Sequence, residues 1–337
     1  MSTKQFWIGF DLGGTKMLTA VYDEALKKTF QIKRKTKPDS HPFSIDRIID
    51  TIEKMLVEWG GKRSSVQGIG IGAPGALNPE TGEVVNAPNL GWKNVALRKI
   101  LEDAFKVPVT VINDVDAGTF GEYSAGAAMN ARCVLGVFPG TGIGGSIIYE
   151  GTILRGTASS IGEIGHLQID ENGFRCGCGN RGCLETVASR LAIAGQAAIA
   201  AYRGQAPALL AATGCDIAKI RSGALAEAIA AGDTIIEEIV RQAARRLGQG
   251  IAAAVNLLAP DRIILGGGLV EKMPDLYLSE VSAAMEPGLF PVYRSNGTVA
   301  IAQLGADAVT LGAAAHIKQH AEQQHEKEKT SSNPSAS

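Results

Sequence analysis

Between His166 and Glu185 the chain reads HLQIDENGFRCGCGNRGCLE, placing one histidine and three of the five cysteines in a single short segment. Cys176, Cys178 and Cys183 stand in C-x-C-x4-C spacing, ten residues beyond His166. Three thiolates and one imidazole make a complete tetrahedral donor set for Zn2+, with no position left open for a substrate. A closed site of that kind is structural and holds the loop around it still. The plainer reading is three small buried hydrophobes with a histidine nearby by chance.

Two carboxylates stand next. Asp11 follows the apolar run Phe6 to Phe10, and Asp114 follows Val109 to Ile112. Either could cap the end of a strand as a turn residue. At the rim of a cleft, however, two acids are what phosphoryl transfer uses, one facing Mg2+-bound phosphates and one accepting the proton of a hydroxyl.

Glycine-rich turns follow three apolar runs: Asp11-Leu12-Gly13-Gly14-Thr15-Lys16, Pro139 to Gly145, and Gly266-Gly267-Gly268. Such turns can aim backbone amides at phosphate, and they can equally be ordinary hairpin turns. Gly140-x-Gly142-x-x-Gly145 has the dinucleotide-binding spacing, but that motif needs a helix after its last glycine, and Ser146 to Tyr149 reads as a strand. No glycine-lysine-serine or glycine-lysine-threonine closes any of the turns, which excludes a Walker loop. A nucleotide held between two hairpin turns remains.

The elements that must position these groups follow from periodicity. Strands are expected at Phe6 to Phe10, Met17 to Tyr22, Val66 to Ile71, Val109 to Ile112, Cys133 to Phe138, Ser146 to Tyr149 and Arg262 to Leu265. Apolar residues at helical spacing predict helices over Ser44 to Trp59, Ala96 to Phe105, Leu191 to Tyr202 and Ala224 to Leu258, with a last alanine-rich helix ending near Ile317. From His320 to Ser337 no large apolar residue occurs, and a disordered tail is expected there.

At 337 residues the chain exceeds what one core usually fills, so two domains are expected. Its 33 basic and 34 acidic residues leave a formal charge of -1, which gives nucleic acid or an anionic membrane no electrostatic footprint. No apolar segment is long enough to span a bilayer, and the start, MSTKQFWIGFD, has no export signal pattern. With an odd number of cysteines, the expectation is a reducing, cytoplasmic setting in which Cys133 and Cys215 are packed, inert thiols.

Taken together, DLGGTK at Asp11 to Lys16, NAPNLGW at Asn86 to Trp92, Asn113-Asp114 with Gly121-Glu122, PGTGIGG at Pro139 to Gly145, GEIGH at Gly162 to His166 and CGCGNRGCLE at Cys176 to Glu185 resemble the ROK family of sugar kinases and sugar-responsive repressors. The match runs in order from about residue 6 to 316, and GEIGH followed by the cysteines is its most specific part. Asp116, Gly118, Thr119 and Ser159-Ser160-Ile161 depart from the family pattern, flanking the sugar positions without removing them.

The resemblance implies an α/β chain with the two-domain actin-like ATPase (ribonuclease H-like) fold and an interdomain cleft. The expected division is a smaller domain over residues 1–115, joined by a helix near 305–317, and a larger one over 116–304; the polar composition adds 318–337 as a disordered tail. Asp114 would be the base toward the sugar hydroxyl. Gly75, Asn89, Asn113, Asp114, Glu163, His166 and Glu185 would bind the sugar. Asp11, Gly13, Gly14, Thr15, Lys16, Thr141, Gly142, Gly266 and Gly267 would serve ATP and its Mg2+. His166, Cys176, Cys178 and Cys183 would hold a structural Zn2+, and His166 could turn its other ring nitrogen to the sugar. The expected activity is ATP-dependent phosphorylation of a hexose at its 6-hydroxyl, glucose first, with N-acetylmannosamine, N-acetylglucosamine and fructose as competing substrates, in a homodimer. A sugar-sensing regulator is the alternative of a different class. Only ten residues precede Asp11, which favours the enzyme over a repressor with a DNA-binding domain.

Overall fold

The computed structural model describes residues 4–14, 16–36, 43–156, 161–294 and 298–331. Its chain forms two compact units, one of Met1–Met129, Ile153–Ile161 and Ala306–Ser337, the other of Asn130–Thr152 and Gly162–Gly305.

The first unit is built on strands β1 (Phe6–Leu12), β2 (Lys16–Asp23), β3 (Lys28–Lys35) and β4 (Val66–Ala73), with helix α1 (Asp46–Trp59) between β3 and β4. A small antiparallel sheet follows, β5 (Ala76–Asn78), β6 (Glu83–Ala87) and β7 (Trp92–Val95), then α2 (Leu97–Phe105), β8 (Val109–Asn113) and α3 (Asp114–Ala125). The main sheet has the order β3-β2-β1-β4-β8, with β1, β4 and β8 parallel. Strand alternation divides its faces. Ile8, Phe10 and Leu12 join Ile69 and Ile71 in a core with Ile48, Ile52 and Met55 of α1 and Leu97 and Leu101 of α2.

The opposite face is lined by Gly9 of β1 and Gly68, Gly70 and Gly72 of β4. The C-terminal helix, Ala308–Ser331, lies there so closely that a Cβ at Gly9 or Gly70 would collide with the carbonyl oxygens of Thr310 and Ala313. Only glycine admits a helix backbone at that distance.

In the second unit the strands are β9 (Cys133–Pro139), β10 (Ile143–Tyr149), β11 (Thr152–Ile153), β12 (Arg262–Leu265) and β13 (Thr298–Ile301), in the order β11-β10-β9-β12-β13. Between β11 and β12 come α4 (Glu185–Ala188), α5 (Arg190–Tyr202), α6 (Pro207–Thr213), α7 (Ser222–Ala230) and α8 (Thr234–Leu258). Helices α9 (Gly268–Lys272) and α10 (Pro274–Met285) complete it. Helix α8 buries one stripe, including Ile236, Val240, Leu247 and Ile251, and passes α10 where Gly248 meets the Val281 carbonyl.

Several expectations change. The tail is helical to Ser331, not disordered from 318: the C-terminal helix continues its polar stretch with the Lys318–Glu322 pair at 3.4 Å and a 2.8 Å Gln324–His320 contact one turn apart. The division between units falls after Met129 and not at 115, because α3 packs on the C-terminal helix, with Gly121 against the Ala308 carbonyl. Ile143, Gly144 and Gly145 already belong to β10, so the second turn is only Gly140 to Gly142. Cys133 is buried, as expected, whereas Cys215 is exposed.

Candidate active site

Parallel pairing sets Asp11 beside Gly72 and Gly72 beside Ile112, so Asn113 lies just past the rung that holds Asp11, with Asp114 next after it. Asp114 does not end a strand. It opens α3, where Asn113 is the N-cap: its Oδ1 accepts the Val115 N–H at 2.8 Å, and Asp114 Oδ1 accepts the same N–H at 3.0 Å. Burial pushes the Asp114 carboxyl up to about 6, against the lowering effect of the Val115 N–H. Burial and the neighbouring Asp114 charge push Asp11 up to about 7, with Lys16 pulling it down. Two partly buried acids, one raising the proton affinity of the other, form a site for a proton or a cation.

Around them the first unit places the other expected residues. Asn113 Nδ2 donates to the Gly75 carbonyl at 3.2 Å. Gly75 has φ of 100°, and a side chain there would strike the Asn86 carbonyl, so the turn into β5 requires glycine. Asn89 is exposed on a one-turn 3-10 helix, Pro88–Leu90, which is tied down where Phe43 N–H donates to the Leu90 carbonyl and Trp92 Nε1 donates to the Phe43 carbonyl. Gly13 is fixed by Thr36 Oγ1 donating to its carbonyl at 2.9 Å, Gly14 is exposed, and Lys16 begins β2 with its side chain exposed. Thr15 lies outside the described residues.

In the second unit His166 and the three cysteines converge, with one ligand atom from each lying within 4.8 Å of every other. His166 Nδ1 is 3.6 Å from Cys176 Sγ, and Cys178 Sγ is 3.7 Å from Cys183 Sγ. A tetrahedral ion bound at zinc-like distances has S–S edges of about 3.8 Å and S–N edges of about 3.6 Å. The donor set therefore fits a metal ion, and with Nδ1 turned inward the Nε2 of His166 is left for another partner.

Glu163 is exposed at the start of the 3-10 turn Ile164–His166, which presses on β10 where Gly145 and Gly162 approach backbone to backbone. Glu185 opens α4 directly after the last cysteine segment. Its Oε2 accepts the Ile143 N–H at 2.9 Å, its Oε1 lies 3.8 Å from Cys176 Sγ, and a Cβ on Gly142 would collide with it. One carboxylate thus joins the metal-type cluster to the Gly140–Gly142 turn. Thr141 is exposed on that turn, and the Gly266–Gly267 turn runs beside it, Gly267 lying against the Pro139 carbonyl at φ of 85°.

Sequence reasoning passed over Arg155 and His316. Arg155 donates to the Pro79 carbonyl and to His316 Nε2, each at 3.2 Å, near the buried Asp116. Burial and Arg155 push His316 down to about 3, so its ring is neutral at ordinary pH; its buried Nδ1 has no partner among the described residues. The groups come from distant parts of the chain, and no local motif announces them.

A family model described as the ROK family matches residues 7–320, and the chain belongs to that family. The glucokinase of Halalkalibacterium halodurans is 34% identical over 317 residues, which are 94% of this chain and 96% of that protein. The crystal structure of a ROK family glucokinase from Streptomyces griseus, in complex with glucose and AMPPNP, is 31% identical with a TM-score of 0.80, over 93% of this chain and 99% of that one. The xylose repressor of Caldicellulosiruptor bescii is 30% identical over 270 residues, 80% of this chain and 67% of the repressor. The fold is that of the actin-like ATPases.

Proposed function

We propose that this protein is an ATP-dependent sugar kinase whose preferred reaction converts glucose to glucose 6-phosphate. The observation that carries the reading is the Asp11–Asp114 pair: a carboxyl lifted to about 6 beside a second lifted to about 7 is a base matched to neutral pH next to a seat for a cation. Likeness to two glucokinases supports the substrate.

In this reading Asp114 accepts the proton of the 6-hydroxyl while that oxygen forms its bond to the γ-phosphorus and the bond to the β-phosphate bridging oxygen breaks. Gly75, Asn89, Asn113, Glu163, His166 and Glu185 would hold the sugar. Such multidentate hydroxyl binding fixes one hydroxyl at the base. Gly13, Gly14, Thr15, Lys16, Thr141 and Gly142 receive the phosphates, and Gly266 and Gly267 lie toward the adenosine. Asp11 would hold Mg2+, which supplies neutralising charge to the phosphates. His166 and the three cysteines would hold Zn2+, whose filled tetrahedral shell gives rigidity and leaves no Lewis-acid position. A cytoplasmic homodimer completes the proposal; sedimentation tests the oligomer.

A coupled assay of ADP release across glucose, mannose, fructose, N-acetylglucosamine and N-acetylmannosamine tests the reading. Highest kcat/KM on glucose is expected. A higher value on an N-acetylhexosamine would reassign the substrate, and sugar binding without turnover on any of them would turn the reading toward a regulator, as the repressor likeness allows.

A further inference from the structure

In the second unit Arg190 lies on the Gly140–Gly142 turn with Arg221 near it, and neither was expected to bind anything. Arg190 is the first residue of α5. Its backbone N–H donates to the Gly140 carbonyl at 2.8 Å, while its guanidinium donates to Thr141 Oγ1 at 2.7 Å and to the Ile220 carbonyl at 3.4 Å. The fork therefore spans from the Gly140–Gly142 turn to the segment just before α7.

Arg221 follows in that segment, exposed, and among the described residues its side chain makes only a 3.5 Å contact from Nε to the Ala218 carbonyl. Ser222, next in line, puts its Oγ against Gly268, and Gly267 lies on Pro139. Two glycine turns and two arginines thus share one corner of the unit.

The charges are of one sign. Burial and the nearby Arg221 both push the Arg190 guanidinium below its ordinary proton affinity. Neither arginine makes an ion pair with a carboxylate among the described residues. Two cations held together without an anion repel, and an anion of two or more charges is what relieves them. Guanidinium forks match phosphate oxygens in pairs. Thr141 adds a donor: its oxygen already accepts from Arg190, so its hydroxyl proton is free to point at a phosphoryl oxygen.

We infer that Arg190 and Arg221 form a clamp for the phosphate chain of the nucleoside triphosphate, with Thr141 as its hydroxyl donor. The inference rests on the kinase reading and adds two residues to it. Arg221 is the specificity element, because its side chain is committed to little else. Arg190 positions Thr141 as well as contacting phosphate.

Calorimetric titration of the full chain with MgADP and with AMP, without sugar, tests the clamp. Arg221→Gln is expected to weaken MgADP about tenfold and to affect AMP much less. Arg221→Lys should recover part of the loss, because it returns the charge without the fork. In turnover, Arg221→Gln should raise KM for ATP and leave KM for the hexose unchanged. Arg190→Gln should weaken MgADP as well, with unchanged metal content and melting temperature certifying its fold. MgADP binding to Arg221→Gln as tight as to the wild type overturns the clamp, and so does an equal loss for AMP. A wild-type chain that binds no MgADP sinks the kinase reading itself, and the clamp with it.

Discussion

Glu185 accepts the backbone N–H of Ile143 at 2.9 Å, so the residue that closes the cysteine segment also fixes the first residue of β10. Its two oxygens face different neighbours, Ile143 and Cys176. A carboxylate shared in this way couples the loop proposed for sugar to the turn proposed for phosphate.

Glu185→Ala should therefore raise KM for sugar and for ATP together, each by about tenfold, since a charge-assisted hydrogen bond contributes roughly 1.5–3 kcal/mol. Steady-state kinetics with each substrate varied in turn gives the answer. A change confined to sugar would mean that the Ile143 bond carries no coupling.

Asp114→Asn should cut kcat by about 10²- to 10⁴-fold while the Kd for sugar moves little. In the wild type, kcat/KM should fall as pH drops through about 6, where Asp114 takes up its proton and ceases to be a base. A flat profile from pH 5 to pH 8 would remove Asp114 from that role.

Asp11 carries a stability consequence of definite sign. Its folded value of about 7 lies above the ordinary 3.8, so between those limits the folded chain binds a proton that the unfolded chain has lost. Stability from this group is present at low pH and is lost as pH rises through about 7. Asp11→Asn should raise the melting temperature at pH 8, leave it nearly unchanged at pH 4, and depress activity. Equal shifts at both pH values would contradict the assignment.

Metal dependence can be read from Cys178, which is exposed while Cys176 and Cys183 are buried. Cys178→Ser removes a ligand with little loss of packing, so whatever it costs reports on the ion. Elemental analysis should find about one zinc per wild-type chain and much less in the variant, by the four-ligand logic of a closed site. The variant should also melt earlier and bind sugar more weakly. A zinc-free wild type with full activity would end the proposal.

Arg155→Ala should destabilise the first unit by about 1–3 kcal/mol, because it strips a partner from His316 Nε2 and from the Pro79 carbonyl. With Asp116→Asn already present the same change should cost less, since the electrostatic part is gone. Additive losses in a thermal double-mutant cycle would separate the two side chains.

How much the sequence could tell follows from how far apart the partners lie. The metal-type cluster was readable because its four ligands fall within eighteen residues, and the spacing alone nearly fixes the geometry. Strand-turn-strand at Gly140 was also readable, and β10, which runs through Gly145 to Tyr149, shows why the dinucleotide motif had to be refused. Asp11 and Asp114 were found as acids, but the effect of Asp114 on Asp11 depends on the β1-β4-β8 register, which no window of sequence contains. Arg190 with Arg221, and Arg155 with His316, are products of tertiary folding alone. The alternating Gly68-Ile69-Gly70-Ile71-Gly72 of β4 is a different case: it announces one bulky and one bare face, and only the partner for the bare face was missing.

That bare face gives synthesis an order. The helix covering Gly9 and Gly70 follows them far along the chain, Thr310 lying opposite Gly9 and Ala313 opposite Gly70. At roughly 5–20 residues per second, the ribosome leaves β1 uncovered for about 15–60 s and β4 for about 12–48 s while the second unit emerges. The first unit is therefore the last to be finished, and a nascent chain arrested before Ala308 should present a sticky glycine-floored groove to chaperones, detectable as protease sensitivity that vanishes once the helix is released.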